Sequence, residues 1–272
     1  FRMAEMIGLD LEGRRVITDE VPIEYDHLVL ALGSVPHFFG IPGAEEHAFP
    51  LRWMDDAIPI RHHILSRFER AGATPDPEER ARMLTFVVVG GGPTGVEFAG
   101  ALAELIHGPL LRDYQDLRPS EIRVVLVELA DGLLSGMPDT LGDYARSRLE
   151  KRHVEVKLGE AVERVEADAV QLGGGGSLAT ETVIWTAGIR GEPRAADWGL
   201  PVGPGGRVPV QADLTVEGRP EVNVIGDLAY LEDEDGQPLP QVAQVAIQQG
   251  RRAARNILLR IRREESRPFD YR

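Results

Sequence analysis

The sequence predicts an α/β protein built on a parallel β-sheet, and three observations support this fold class. Short apolar runs that are typical of buried strands alternate with helical patterns along most of the chain. A glycine-rich segment at 90–95 follows one of these strands and opens a helix. A segment that ends at Gly33 is similar to a later segment that ends at Gly188, which indicates an internal duplication.

The composition is that of a globular protein and excludes several kinds of chemistry. A chain of 272 residues is long enough for about two domains. It contains no cysteine, which removes thiol nucleophiles, redox dithiols, cysteine-ligated zinc and iron–sulfur clusters. The formal net charge of −14 argues against nucleic acid as a partner. No apolar stretch approaches the roughly 20 residues that cross a bilayer.

The first part of the chain is predicted to contain strands, a loop and a helix. Strands are expected at 7–11 and 15–17, and a near-continuous apolar run at 25–32 predicts a buried strand. Prolines and glycines at 34–50 predict a loop. Apolar residues at helical spacing predict a helix over 55–71.

Strands and helices are expected to alternate through the rest of the chain. Apolar, β-rich runs predict strands at 84–89 and 122–128, from 154, and at 222–225. Helical patterns predict helices at 93–107, 139–152 and 242–263. The segments 162–172 and 178–186 are expected to pair as a hairpin around the glycines at 173–176.

The glycine-rich segment matches the pattern G-x-G-x-x-G as Gly90, Gly92 and Gly95. The first glycine allows the tight turn, the second allows a pyrophosphate to approach the backbone, and the third allows close packing of helix on strand. The next strand ends in Glu128, whose carboxylate can bond a ribose 2′-hydroxyl and would repel a 2′-phosphate. This pattern favours NAD(H) over NADP(H). A glycine-rich turn without a ligand is the alternative.

Two later segments carry polar side chains that suit a ligand. Asp227 ends a short strand, where its carboxylate could bond sugar or ribityl hydroxyls, or could cap the next helical turn. The helix start at 243–250 places glutamines among small residues, so their amides can bond a planar carbonyl ligand. A plain polar helix face is the alternative there.

Charged and imidazole side chains elsewhere give weaker signals. The last helix is basic, which predicts either contact with anionic lipid or, the favoured interpretation, a solvated face. The arginines concerned are Arg251, Arg252, Arg255, Arg260, Arg262 and Arg263. The histidines are scattered, and the adjacent His62 and His63 point apart on a helix. No metal site is predicted.

Together these motifs resemble the type II NADH dehydrogenases (NADH:quinone oxidoreductases), a branch of the FAD-dependent pyridine nucleotide oxidoreductases. The segment at 243–250 matches that family's A-Q-x-A-x-Q-Q motif, which is fairly specific to this branch. Three other matching segments are shared across the larger group and lie at 25–34, 90–100 and 185–188, and the segment at 225–227 also matches.

The resemblance implies two Rossmann-like dinucleotide-binding domains in a glutathione-reductase-like arrangement, with an incomplete FAD domain. The first glycine motif of the family and its C-terminal membrane region are both absent, so the chain is expected to be truncated at both ends. The expected domains are 1–50, the end of the first half of the FAD domain, 51–195, the NADH-binding domain, and 196–272, the returning FAD segment.

The resemblance also implies an activity and its residues. NADH passes a hydride to FAD, and electrons then pass to a quinone, without proton pumping. Glu97, two residues after the third glycine, is expected to be partly buried and to relay protons, although the helix dipole alone also favours a glutamate there. The expected catalytic residues are Glu97, Gln244 and Gln248. The expected cofactor-binding residues are Gly90, Gly92, Gly95, Glu128, Gly188, Gly33, Gly226, Asp227 and Gln249.

The partners implied by the resemblance are a quinone and a membrane surface, reached through the missing C-terminal region. The full-length protein is expected in the cytoplasm, peripheral on the inner face of the cell membrane, and a homodimer is left open. Two alternatives also remain open: a flavin-dependent NADH reductase of another acceptor, and a nucleotide-binding fragment without catalysis.

Overall fold

The computed structural model describes residues 1–271, which form two compact units. Unit 1 consists of Phe1–Val35 together with the chain from Ile189 onward, and unit 2 is Pro36–Gly188. The chain therefore changes unit after residues 35 and 188, whereas the sequence predicted boundaries after residues 50 and 195.

The elements are numbered in chain order. The strands are β1 (Met6–Asp10), β2 (Arg15–Thr18), β3 (Ile23–Glu24), β4 (Leu28–Leu30), β5 (Ser34–Pro36), β6 (Ala48–Pro50), β7 (Thr85–Val89), β8 (Arg123–Val127), β9 (Val154–Lys157), β10 (Val162–Val165), β11 (Ala169–Leu172), β12 (Ser177–Ala179), β13 (Thr182–Trp185), β14 (Ile189–Gly191), β15 (Val208–Pro209), β16 (Thr215–Val216), β17 (Arg219–Val224) and β18 (Ala229–Tyr230). The α-helices are α1 (Ala44–His47), α2 (Met54–Ala73), α3 (Pro77–Met83), α4 (Pro93–Leu105), α5 (Leu111–Asp113), α6 (Asp139–Glu150), α7 (Arg194–Asp197) and α8 (Ala243–Ile261).

Unit 2 is built on a five-stranded parallel sheet with the order β6-β13-β7-β8-β9. All five residues of β7 are buried, as expected for a central strand covered on both faces. The edge strand β6 pairs with β13, with Ala48 opposite Val183. Because of this pairing, residues 36–50 belong to unit 2, and the first change of unit lies before them, after residue 35.

Helix α2 covers one face of this sheet with a stripe of apolar residues. Ile60, Ile64 and Phe68 are buried at four-residue spacing, and Phe68 stacks on Phe86 of β7 with ring centroids 5.9 Å apart. Helix α4 buries Ala99 and other small or apolar residues in the same cluster. The loop between β7 and α4 is thus anchored at both ends by elements that pack into the core.

Unit 1 contains a smaller sheet with the order β16-β17-β4, in which β17 and β4 are parallel. Val222 lies opposite Leu28, and Val224 opposite Leu30. Parallel strands end at the same edge of a sheet, so the segments that follow Leu30 and Val224 emerge side by side.

The suspected duplication is visible in the structure. The three-stranded antiparallel sheet β1-β2-β3 precedes β4, and the three-stranded antiparallel sheet β10-β11-β12 precedes β13. Each copy thus consists of a small antiparallel sheet followed by a strand of a parallel pair or sheet. The α/β class with parallel sheets is confirmed.

Several predicted elements differ from the structure. The strand expected over 25–32 is only β4, and the predicted loop at 34–50 contains β5, α1 and β6. The predicted hairpin around the glycines at 173–176 is confirmed, because β11 and β12 pair antiparallel across them with Ala169 opposite Ala179. Residues 182–185, which were expected to continue that hairpin, instead form β13 of the main sheet. Helix α4 continues as a π-helical turn, Ile106–Leu110. Within residues 1–271, none of the helices combines the length and apolar character that crossing a bilayer requires.

Candidate functional site

The glycine loop of unit 2 has the geometry that its sequence predicts. Gly90 has a φ of 110°, and a side chain there would lie 2.6 Å from the Cα of Ala187. A Cβ at Gly95 would lie 1.8 Å from the carbonyl oxygen of Gly90. A Cβ at Gly92, by contrast, would meet no atom within 4 Å. Two glycines are required by packing, and the third faces open space where a ligand can approach.

The helix after this loop can bind an anion. Gly92 is the N-cap of α4, and its carbonyl accepts the N–H of Val96 at 3.0 Å. The N–H groups of the first turn of a helix have no acceptor within the helix, and the dipole adds a partial positive charge. The open side of Gly92 thus adjoins a position suited to a phosphate.

Glu128 is held against the glycine loop. Its carboxylate accepts the backbone N–H of Gly91, and its Oε1 accepts the N–H of Ala130 at 2.7 Å. The side chain is half-buried. A carboxylate has about four acceptor positions, so these two bonds orient the group and leave capacity for a ribose hydroxyl.

The second copy of the repeat also contacts this loop. Thr186 Oγ1 donates to the carbonyl of Val89 at 2.8 Å. Gly188 packs against Phe39, because a Cβ there would lie 2.6 Å from the ring atom Cζ. Its carbonyl accepts the N–H of His37 at 3.0 Å. A side chain at Gly188 would therefore displace the exposed ring of Phe39, and the contact of Gly188 with a cofactor stays a prediction.

Glu97 lies in the first turns of α4, but its environment differs from the expectation. Its side chain is exposed, whereas the sequence analysis expected partial burial. The reason is its position on the helix, since the buried face of α4 is formed by Gly95, Ala99, Leu102 and Ala103. Its role in proton transfer stays a prediction.

In unit 1, three separate segments of the sequence meet around Asp227. Ser34 Oγ donates to Asp227 Oδ2 at 2.9 Å, and Gln241 Nε2 donates to the carbonyl of Asp227 at 2.9 Å. Gly33 and Gly226 have φ values of 73° and 70°, which allow the chain to turn at the ends of β4 and β17. The structure thus brings the predicted residues Gly33, Gly226 and Asp227 to one edge of the sheet.

The three glutamines of α8 have different environments. Gln249 is 0% exposed, and its Oε1 accepts the N–H of Gly226 at 2.6 Å. Gln244 is exposed, and Gln248 is half-buried in a shallow groove beside Arg252 and Phe269. Gln249 therefore fixes the turn at Gly226 from the protein interior. Gln244 is exposed to solvent, and Gln248 is partly exposed.

Sequence reasoning missed two residues that build this part of unit 1. Gln241 precedes the matched motif, and nothing in its neighbours signals its bond to Asp227. Arg207 is only 7% exposed, and its guanidinium donates to the carbonyls of Ala229 and Leu239. Burial lowers the pKa of Arg207 from its usual value, while the charge of Asp227 opposes that change. An isolated arginine in a glycine-rich stretch gives no sequence signal for such burial.

The residues of unit 2 fit a dinucleotide, and the residues of unit 1 fit only part of FAD. The open Gly92 position, the helix start and the oriented Glu128 fit the pyrophosphate and ribose of a dinucleotide in unit 2. Around Asp227, the half-buried carboxylate at a sheet edge fits a polyhydroxyl chain such as ribityl. The second glycine motif that the diphosphate of FAD would require does not occur in the sequence.

Comparisons with known proteins agree with this geometry. The model of the pyridine nucleotide-disulphide oxidoreductase family matches residues 2–250. A type II NADH:quinone oxidoreductase of Mycobacterium tuberculosis, NdhA, is 35% identical over 99% of this chain and 60% of its own length. A type II NADH:quinone oxidoreductase of Staphylococcus epidermidis is 34% identical over 100% of this chain and 67% of its own length.

Solved structures share the fold. NDH2 of Plasmodium falciparum in complex with NADH matches with a TM-score of 0.76 and 24% identity, over 84% of this chain and 50% of that chain. A ferredoxin reductase of Rhodopseudomonas palustris matches with a TM-score of 0.75 over 98% of this chain. The chain spans about 60–67% of the length of the curated relatives above. It belongs to the pyridine nucleotide-disulphide oxidoreductase family and, within it, groups with the type II NADH:quinone oxidoreductases.

Proposed function

We propose that the protein containing this chain is an FAD-dependent oxidoreductase that transfers electrons from NADH to a quinone without pumping protons. The observation that carries the proposal is the meeting of Ser34, Asp227 and Gln249 around one turn of unit 1. These residues come from three segments that match the type II NADH dehydrogenases, and the glutamine segment is the specific one. The relatives named above carry the same activity in their names.

Unit 2 is proposed to bind NADH. The loop through Gly90, Gly92 and Gly95 and the start of α4 would hold the pyrophosphate, because free N–H groups and the helix dipole favour an anion there. Glu128 would accept hydrogen bonds from the adenosine ribose, and its negative charge would disfavour a 2′-phosphate. These roles predict a preference for NADH over NADPH.

Unit 1 is proposed to hold part of FAD. The flavin supplies the two-electron chemistry between a hydride donor and a quinone when it is bound. Asp227, oriented by Ser34, would accept hydrogen bonds from the ribityl hydroxyls. Gln249 would act from the interior by fixing the Gly226 turn, so it is a positioning residue. Gly33 and Gly188 would complete the chain turns near the cofactors.

The quinone is proposed to bind near the start of α8. Gln248 lies four residues after Gln244 and shares its helical face, so these two amides would bond the quinone oxygens. Quinone reduction takes up two protons, and the exposed carboxylate of Glu97 is proposed to deliver them from solvent. An exposed group exchanges protons with water directly, which suits this role.

Two further properties belong to the same proposal. The protein would work at the inner face of the cell membrane as a peripheral protein, because its proposed acceptor dissolves in lipid, and its oligomeric state is left open. A flavin-dependent reductase of a different acceptor is disfavoured by the glutamine motif. A cysteine-dependent acceptor reaction is excluded for residues 1–272, because the sequence contains no cysteine.

The two half-reactions test the proposal. NADH is mixed rapidly with the flavin-loaded protein, and the flavin absorbance reports reduction; a quinone is then mixed with the reduced protein. Glu97→Gln is expected to leave the first step largely intact and to slow the second. Gln248→Ala is expected to raise the KM for quinone and leave that for NADH unchanged. Glu163→Gln and Gln237→Ala, two exposed positions, serve as matched controls.

Effects of Glu97→Gln and Gln248→Ala confined to flavin reduction would assign both residues to the nicotinamide and remove the quinone assignment. If the purified protein retains no flavin absorbance after incubation with FAD and removal of the unbound FAD, the result would instead support a nucleotide-binding module without catalysis.

A further inference from the structure

Two histidines that are distant in the sequence come together in unit 2. His107 lies in the π-helical turn that continues α4, and His153 lies between α6 and β9. Their ring centroids are 5.1 Å apart, and the ring planes are tilted by 58°. His107 is half-buried and His153 is exposed, so an ion can reach the pair from solvent.

The separation of the rings suits a shared metal ion. Zn–N bonds of about 2.0–2.1 Å at a tetrahedral angle place the centres of two imidazole rings about 5 Å apart. Imidazole is also a good ligand for Cu²⁺ and Ni²⁺. A tilted aromatic contact without any ion would have a similar separation; the two arrangements differ in whether the pair binds a divalent cation.

The backbone holds both histidines in uncommon conformations. His153 has a φ of 63°, in the left-handed region that glycine prefers at the end of a helix. His107 belongs to a π-helical turn, which is rare and frequently occurs at functional sites. A polar residue at the surface does not require either conformation, and with both present the two rings lie in contact.

The guanidinium that adjoins the pair is bound by a carboxylate. Arg152, next to His153, would repel a cation, but its Nη2 lies 2.7 Å from Oε1 of Glu104. Glu104 lies one helical turn before His107 and thus keeps the neighbouring positive charge paired. The protein as a whole carries a formal charge of −14, which attracts cations.

We propose that His107 and His153 together bind one divalent cation of the zinc class, with water completing its coordination. The pair lies near the start of β9, at the amino edge of the parallel sheet, whereas the glycine loop lies at the carboxyl edge. A bound ion therefore links the end of α4 to the turn between α6 and β9 and leaves the nucleotide position open. The bound ion stabilises unit 2 against unfolding.

The test uses the complete purified protein after removal of metals with a chelator. Zn²⁺ is titrated calorimetrically, and Cu²⁺ is added as a paramagnetic probe whose spectrum counts the bound imidazole nitrogens. We expect one site with two imidazoles, and at least about tenfold weaker binding in His107→Gln and in His153→Gly. The exposed His62→Gln is the control and is expected to bind like the wild type.

The variant His153→Gly separates metal binding from folding. Glycine suits the positive φ at this position, so the metal-free variant is expected to unfold at the same temperature as the wild type or above it. Excess Zn²⁺ should raise the unfolding temperature of the wild type and of His62→Gln, but not that of His153→Gly. Wild-type Zn²⁺ affinity in His153→Gly, or a Cu²⁺ spectrum with a single imidazole, would overturn the proposal and leave an aromatic contact only.

Discussion

The side-chain oxygen of Gln249 accepts the backbone N–H of Gly226 at 2.6 Å, and this bond ties the last long helix to the turn that carries Asp227. Gln249 is completely buried, so water cannot replace the bond. Its Nε2 finds no acceptor among residues 1–271. The side chain of Gln249 therefore bonds Gly226 through its oxygen, and this bond fixes the position of the turn relative to α8.

Removing this bond should destabilise unit 1. Gln249→Ala leaves the N–H of Gly226 without its acceptor and creates a cavity, so we expect the free energy of unfolding to fall by about 2–4 kcal/mol. Denaturant unfolding measures the change. Gln244→Ala, on the exposed face of the same helix, should stay within about 0.5 kcal/mol of the wild type. Equal stability of the two variants would contradict the structural role of Gln249.

Alanine substitutions in the glycine loop should separate folding from binding. Gly95→Ala places a methyl group 1.8 Å from the carbonyl oxygen of Gly90, so unit 2 should lose several kcal/mol of stability or fail to fold. Gly92→Ala meets no atom within 4 Å, so its unfolding temperature should be close to that of the wild type. Its NADH affinity should nevertheless fall, because the methyl group occupies the space where the backbone approaches the pyrophosphate. Calorimetric NADH titration and thermal unfolding of both variants decide this, and unchanged NADH affinity in Gly92→Ala would place the nucleotide elsewhere.

Glu128 should determine the choice between NADH and NADPH. Its carboxylate is already oriented by the N–H groups of Gly91 and Ala130. Hydrogen bonds to a charged group contribute about 1.5–3 kcal/mol, so Glu128→Gln should reduce the preference for NADH over NADPH by about tenfold. The ratio of the two dissociation constants is the measurement, with Glu163→Gln as an exposed control. Equal affinity of the unmodified protein for both nucleotides would contradict the assignment.

His63 should make the stability of unit 2 depend on pH. Its Nε2 lies 3.0 Å from the carbonyl oxygen of Glu181 and 3.0 Å from Thr182 Oγ1. Burial lowers the pKa of His63 in the folded protein, and the nearby charge of Arg67 lowers it further. The unfolded chain, with a pKa of about 6.5, therefore binds more protons than the folded protein as the pH falls below that value.

The free energy of unfolding should consequently decrease as the pH falls below about 6.5, and the contribution of His63 should be fully present above that pH. Denaturant unfolding at a series of pH values measures the slope. His63→Gln should show a shallower decrease, while His62→Gln, an exposed neighbour, should follow the wild type. Identical slopes in all three proteins would show that other groups cause the pH dependence.

Local sequence patterns predicted much of the candidate site. The glycine loop follows β7 and opens α4, as its spacing requires, and Glu128 lies directly after β8 against that loop. Helix α8 was predicted within two residues at each end. The strand before Asp227 was also found. Each of these signals depends on residues within about one element of each other, so the order of residues is sufficient to reveal it.

Side-chain environments were predicted less well. Nothing in the sequence distinguishes Gln249, completely buried, from Gln244, exposed, because both are glutamines in the same motif. Glu97 was expected to be partly buried and is exposed, since α4 turns its small residues toward the sheet. The burial of Arg207 depends on carbonyl groups of Ala229 and Leu239, which lie far along the chain.

By itself, the sequence determined the α/β class, the duplication and the loop that can bind a dinucleotide, because periodicity, glycine and chain turns act over a few residues. Only the tertiary structure decided where the chain passes between the units, because β6 is a three-residue strand whose partner, β13, is distant in sequence. It also decided that His107 and His153 are neighbours, because helix packing in unit 2 brings α4 and the turn before β9 together. Such pairings depend on contacts between distant residues, and no local pattern encodes them.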